Sequence, residues 1–351
     1  MTPSVNKAVK TIILKKWVHK SFFIDLYYML RSYLMEKLFF GIFIVFLLLA
    51  IPYFYKIYNL KKISEEDLPD SGEWVKLTRG NIYFKWYTPE NYKPTKGTIV
   101  LVHGFSTPSF VWGGLLDGFL NAGYRILVYD HYGRGYSERP NTQYNKNLYL
   151  ETLRELIVSQ DIKESVHLVG YSMGGPIVGL YANQFPESTK STTLIAPAGF
   201  STSIPNTKSW TTMPLIGDWF WRVFSHRLYG IGNMSETQSS SDPLSINEDQ
   251  FLPLFQKQLE FRGFNESLLS TIRSFNLFDV REMYLSLSSK KIPILALWGK
   301  KDGVVPYKGS KEYKNIFPEG SFISLEEGTH DITYRQPTIV GQEIIKFIDS
   351  I

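Results

Sequence analysis

From Leu38 to Tyr55 the chain reads LFFGIFIVFLLLAIPYFY, 18 positions without a charge, bounded by Lys37 and Lys56. At 1.5 Å per helical residue this reaches roughly 27 Å, about one hydrocarbon core. No polar stripe interrupts it, so the pattern predicts a membrane-spanning helix over 38–55 and not the half-buried helix of a soluble core. Pro52 sits near its far end, and Tyr53 and Tyr55 suit a membrane–water interface. A cleaved signal peptide would need a shorter basic region and a small-x-small site, which LLLAIPYFY does not offer. The expectation is a retained anchor.

After a polar stretch, KIYNLKKISEEDLPDSG, the rhythm shortens. EWVKLT and NIYFKWYT, separated by Arg79-Gly80, predict a hairpin. TIVLVHG, RILVYD, SVHLVGY, STTLIAPA, IPILALWG and SFISLEEG are short β-branched or apolar runs, suited to strands covered on both faces. Helical patterns lie between most of them, such as FVWGGLLDGFLNAG, NLYLETLRELIVSQ and PIVGLYANQF. Alternating β and α signals predict a mostly parallel sheet with helices on both faces. One connection breaks the alternation. More than 90 residues separate STTLIAPA from IPILALWG, with aromatics that include Trp210, Trp219, Trp221, Tyr229, Phe251 and Phe255. So long a segment predicts a helical lid or inserted subdomain, at about 200–288.

Composition narrows the chemistry. The 351 residues include no cysteine, which excludes disulfides, a thiolate nucleophile and zinc–thiolate or iron–sulfur sites. The net charge of +5 lies wholly in residues 1–37, which carry seven Lys/Arg against two acids, while the remainder holds 31 of each sign. A basic arm ahead of an apolar run reads as membrane topology, not nucleic-acid binding, and favours an inside N-terminus with the large domain outside the cytoplasm. The arm itself, where Ile12, Ile13, Trp17, Phe22, Phe23 and Leu26 recur among lysines, reads either as a basic surface helix or as a solvated tail. The organisation expected is a basic arm (1–37), an anchor (38–55), a linker (56–72) and one large domain (73–351).

The candidate chemistry starts at Gly170-Tyr171-Ser172-Met173-Gly174-Gly175, a G-x-S-x-G pattern between a strand and a helix. Such a turn lifts the serine hydroxyl clear of the sheet, above a helix N-terminus that favours negative charge. Gly170 and Gly174 flank it because side chains there would meet neighbouring backbone. A serine nucleophile needs a base, and only six histidines exist. His19 precedes the membrane run. His103 and His131 follow strands upstream, His167 lies inside a strand and His226 falls in the insertion. His330, in Glu327-Gly328-Thr329-His330-Asp331, follows the last strand, where open α/β sheets place their sites. Of the aspartates between Ser172 and His330, four fall in the insertion (Asp218, Asp242, Asp249 and Asp279). Asp302 alone follows a strand, in Trp298-Gly299-Lys300-Lys301-Asp302-Gly303, and is expected to orient the histidine. Donors for a developing oxyanion are expected from the main-chain N–H of Met173 and of Phe105, with His103 and Gly104 shaping the second loop.

With these pieces assembled, residues from about 73 to 351 resemble the α/β-hydrolase family. The resemblance is carried by His103-Gly104-Phe105, by the stretch Asp130–Ser137 (DHYGRGYS), and by GYSMGG, WGKKDGVVP and GTH in the family's order. It implies a mostly parallel eight-stranded sheet flanked by helices, with a helical lid after the sixth strand. It further implies a Ser172–Asp302–His330 triad, a Phe105/Met173 oxyanion hole and a structural Asp130. The SMGG form with an N-terminal anchor looks most like monoacylglycerol lipases and related esterases. Carbon–carbon bond hydrolases of ring-fission diketones are similar nearly as well. The expected activity is hydrolysis of lipid or other apolar acyl esters through an acyl-enzyme, requiring no metal or cofactor. The alternatives are the carbon–carbon hydrolase and a non-catalytic membrane-anchored binding protein on the same fold.

Overall fold

The computed structural model describes residues 3–69, 71–90, 95–200, 212–228 and 240–351. The chain divides into two compact units, residues 1–58 and 59–351. The first is a single helix, α1 (Pro3–Tyr58), which carries the basic arm and the apolar run without a break and contains Pro52. From Pro3 onward the arm is helical. The segment His19–Tyr58 includes 18 residues of mean hydropathy 2.5, none of them buried, and Phe39, Phe43, Phe46 and Leu48 are exposed. By length and composition this helix can cross a membrane, a property it shares with signal sequences.

The second unit is built on an eight-stranded sheet of order β1-β2-β4-β3-β5-β6-β7-β8. Strands β1 (Glu73–Leu77) and β2 (Gly80–Tyr87) form the expected antiparallel hairpin, with Gly80 at φ 136° in its turn. β3 (Thr98–Val102), helix α2 (Gly113–Asn121), β4 (Arg125–Tyr129), α3 (Lys146–Ser159), β5 (Val166–Tyr171), α4 (Gly174–Gln184) and β6 (Thr189–Ile195) then alternate. β2 meets β4 antiparallel, and every pair from β4 through β3, β5, β6, β7 and β8 is parallel. Parallel strands with helices on both sides must be apolar on both faces. That is why all five residues of β3 are wholly inaccessible and all of β5 is buried. Each fully buried Val, Leu or Ile contributes about 1.5–3 kcal/mol.

Among the described residues, four helices lie between β6 and β7 (Ile294–Gly299): α5 (Ile216–Leu228), α6 (Glu248–Leu259), α7 (Phe264–Ser274) and α8 (Arg281–Ser288). The start of α6 is set by a capping box, Asn247 with Gln250. The aromatics of this insertion mostly pack: Phe251 stacks on Phe255 at 5.8 Å and on Tyr334 at 5.2 Å, and Phe261 and Phe264 are buried. Trp210 and Tyr229 lie outside the described residues. After β7 come α9 (Gly309–Ile316), β8 (Ser321–Leu325), α10 (Ile332–Arg335) and α11 (Pro337–Asp349), the last opened by Pro337 in its first turn.

Candidate active site

Ser172 follows the last residue of β5 and precedes α4, and its φ of 52° lies in the left-handed region that non-glycine residues rarely occupy. The turn is pinned from both sides. The Ser172 N–H donates to the Ile195 carbonyl at 2.8 Å, and the Ser172 carbonyl accepts from Gly175 at 3.0 Å and Ala198 at 3.1 Å. The flanking glycines are required by space. A Cβ on Gly174 would sit 2.0 Å from the Val102 carbonyl oxygen, and one on Gly170 would sit 2.3 Å from that of Gly174. Gly104 is expected to bring backbone close to a substrate. Its more immediate constraint is the turn itself, since a Cβ there would press on Ser172 Cβ and the Tyr171 ring at 3.3 Å.

The three residues singled out from the sequence meet. His330 Nε2 lies 2.9 Å from Ser172 Oγ, and His330 Nδ1 lies 2.8 Å from Asp302 Oδ2. Asp302 is buried, and its other oxygen accepts from the N–H groups of Val304 at 2.9 Å and Val305 at 2.8 Å. With the carboxylate held by its own loop, its second oxygen is free to accept Nδ1–H, leaving Nε2 to face the serine. The competing aspartates are engaged elsewhere. Asp218 pairs with Arg273 at 3.0 Å, Asp279 with Arg281 at 2.8 Å, and Asp242 holds the N–H and hydroxyl of Thr338 at 2.9 and 2.7 Å. Asp249 is in the first turn of α6. In this arrangement the hydroxyl proton of Ser172 can pass to His330 while Asp302 stabilises the resulting imidazolium.

The remaining histidines have other settings. His19 is exposed on α1, and His226 falls on α5 with its side chain outside the described residues. His167 is buried against Ser191 Oγ at 2.8 Å, where burial lowers its pKa to about 4. His103 and His131 are fully buried, with ring centres 4.1 Å apart and planes tilted by 51°. The His131 main-chain N–H donates to His103 Nε2 at 2.9 Å, which places the His103 proton on Nδ1, and Nδ1–H donates to the Gly104 carbonyl at 2.9 Å. His131 Nε2–H donates to the His103 carbonyl at 3.0 Å. Burial holds His103 well below the ordinary imidazole value and His131 at about 3, so both are neutral at pH 7.

Asp130 is not with the serine. Its oxygens accept from the N–H groups of Ser109 at 2.8 Å and Tyr136 at 2.9 Å, beside a cavity of about 240 Å³ lined by Tyr83, Phe110, Tyr136 and Phe261. Burial raises its pKa against these hydrogen bonds. Phe105 lies on the loop after β3, and Met173 is the buried cap residue of α4. Neither main-chain N–H donates to another group among the described residues. One neighbour of the site was not singled out from the sequence. The Tyr171 ring lies 5.3 Å from that of His330 at a tilt of 35°. Its place directly before the serine was the available signal.

Comparisons with known proteins agree with this architecture. A family model described as the alpha/beta hydrolase fold matches residues 97–334. A curated relative, "Lipase 1" of Psychrobacter immobilis, is 26% identical over 254 residues, covering 69% of this chain and 73% of that protein. Among solved structures, a bromoperoxidase of Bacillus anthracis is similar with a TM-score of 0.61 at 20% identity, covering 80% of this chain and all of the other. A meta-cleavage product hydrolase of Pseudomonas fluorescens is similar with a TM-score of 0.61 at 18% identity, covering 80% and 98%. The structural likenesses speak for the fold; with the family match across most of the sheet and the loops that hold Ser172, Asp302 and His330, they place the chain in the α/β-hydrolase family.

Proposed function

We propose that the protein is a membrane-anchored serine hydrolase that cleaves carboxylic esters of apolar acyl chains. The observation that carries this reading is the hydrogen-bonded series from Asp302 through His330 to Ser172, at 2.8 and 2.9 Å. His330 accepts the Ser172 proton as Oγ attacks the ester carbonyl carbon. The carbonyl oxygen becomes an oxyanion between the N–H groups of Phe105 and Met173. Collapse of this tetrahedral species breaks the bond to the alcohol, which leaves with the proton from His330. A water molecule, deprotonated by His330, then attacks the acyl-enzyme. The acid is released and Ser172 regains its proton.

An acyl ester in lipid is supported by two features outside the triad: the unburied apolar helix α1 and the aromatic-rich insertion. In this reading residues 38–55 remain as an anchor after the basic arm 1–37. Residues 56–72 link it to the hydrolase domain, and the arm's charge favours a domain outside the cytoplasm. The test is a fluorophosphonate probe with turnover on a panel of monoacylglycerols, lysophospholipids, aryl esters and a ring-fission diketone. Labelling and ester turnover should be present in the parent protein and absent in Ser172→Ala. Diketone cleavage without ester turnover would overturn the ester assignment.

A further inference from the structure

Three consecutive carbonyls of the loop after β3 are each held by a buried side-chain donor. The Gly104 carbonyl accepts from His103 Nδ1 at 2.9 Å, that of Phe105 from Arg134 Nε at 2.9 Å, and that of Ser106 from Gln258 Nε2 at 2.8 Å. His103 and Arg134 are wholly inaccessible, and Gln258 is 2% exposed. A trans peptide points its C=O and N–H in opposite directions. Drawing the Gly104 carbonyl toward His103 therefore turns the Phe105 N–H the other way, and the next two bonds keep the loop from rotating back.

Two of these donors tie the loop to the insertion. Gln258 belongs to α6, and its Oε1 also accepts from the Gly135 N–H at 3.2 Å. Arg134 reaches α7, where its Nη2 donates to Thr271 Oγ1 at 2.9 Å. The Thr271 hydroxyl is saturated there. Its hydrogen goes to the Ser267 carbonyl at 2.7 Å, and its lone pairs receive Arg134 and the Tyr149 hydroxyl, the latter at 2.6 Å. A buried guanidinium normally pairs with a carboxylate, because its desolvation is costly. Among the described residues Arg134 has no such ion pair, and the rings of Phe105, Tyr144 and Tyr149 lie 5.6, 5.7 and 5.8 Å from its Cζ. An unpaired buried cation is a poor device for stability alone. A planar fork that grips a loop carbonyl and a lid hydroxyl at once suits orientation.

We propose that Arg134 and Gln258 are positioning residues through which the inserted helices α7 and α6 set the Phe105 N–H of the oxyanion hole. Neither touches the reacting atoms. Both act through the Phe105 loop, and the inference rests on the reading of Phe105 as an oxyanion donor.

The test is turnover per active site, titrated with a fluorophosphonate, for the full-length protein on p-nitrophenyl butyrate. Arg134→Met should lower kcat per titrated site about tenfold and Gln258→Met about threefold, with KM within about twofold, because a misplaced donor weakens only the charged transition state. The rate of inactivation by the probe should fall by the same factors, since it passes through a similar oxyanion. A purely structural role would lower the titrated fraction and the melting temperature and leave turnover per site at the parent value; that result overturns the proposal. If Arg134→Met does not fold, Arg134→Lys decides by the same criterion, since one ammonium cannot replace the fork. Failure of the underlying reading looks different: the parent itself would escape labelling at Ser172.

Discussion

A Cβ on Gly299, the last residue of β7, would sit 2.2 Å from the carbonyl oxygen of Gly328 in the loop after β8. The two loops touch backbone to backbone. Lys300 N–H donates to the Leu325 carbonyl at 2.9 Å and Lys301 N–H to that of Gly328 at 2.8 Å. This approach carries Asp302, on one loop, to 2.8 Å from His330, on the other. Gly299→Ala should therefore force the loops apart. Overpacking of this kind costs about 1–3 kcal/mol, so a thermal melt should shift down by roughly 2–10 °C. Ester turnover should fall with little change in KM. A variant with the parent's melt and kcat would show that the loops separate without effect on the dyad.

Asp302→Asn should keep the fold and lower kcat by about four orders of magnitude, the size of the corresponding change in serine proteases, by leaving His330 in the wrong tautomer. Asp218→Asn, Asp242→Asn and Asp279→Asn should stay within a few-fold of the parent, because Arg273, Thr338 and Arg281 occupy those carboxylates. Steady-state kinetics on one soluble aryl ester checks all four. An essential Asp242 with a dispensable Asp302 would reassign the orienting acid.

The neutral pair His103 and His131 should make stability sensitive to mild acid. Burial puts the folded pKa of each below the unfolded value near 6.5, His131 at about 3. Below pH 6.5 the unfolded chain binds protons that the folded chain refuses. The stability present above 6.5 is then lost as pH falls, at up to about 1.4 kcal/mol per pH unit for each group. Asp130 acts in the opposite sense, because its folded carboxyl takes a proton before the unfolded one does at 3.8. Urea unfolding at pH 7.5 and 5.5 brackets the unfolded histidine value. His167, held at about 4, refuses its proton in the same way, so the free energy should drop by about 4 kcal/mol between them, and the drop should shrink in His131→Gln. A flat profile would mean that the pair is not refused its protons.

The domain should survive loss of the apolar helix if the cut is placed after Tyr58. Lys61 N–H donates to the Glu260 carbonyl at 3.0 Å, Arg262 N–H returns a bond to the Lys61 carbonyl at 2.8 Å, and Ile63 is buried. A chain starting at residue 59 should be soluble and active on short aryl esters, and weaker on esters embedded in vesicles. The full chain should resist extraction from membranes by carbonate. Equal losses on both substrates would assign the helix to folding and not to delivery.

Where a signal is local, the residues alone sufficed. The strand pattern of β3, β5 and β7 was legible because strands covered on both faces must be apolar throughout. Ser172 was legible because a nucleophile on a strained turn needs glycines within two positions of itself. Asp302 and His330 were reached by elimination, from the rule that parallel strands deliver their loops to one edge. Their meeting, however, depends on Gly299 passing Gly328, which no spacing announces. Arg134 falls in the DHYGRGYS stretch that carries the resemblance, but nothing there marks its partners, and Gln258 left no signal. Their partners Phe105, Thr271 and Ser106 are 29, 137 and 152 positions away along the chain. A guanidinium or amide in a sequence carries no mark of which carbonyl it will hold. Local sterics and hydrophobic period are properties of neighbouring residues, so the sequence by itself determined the sheet and the nucleophile turn. Only the tertiary structure could decide which distant donors hold the loop beside Ser172, because those bonds exist only once the insertion has packed against the sheet.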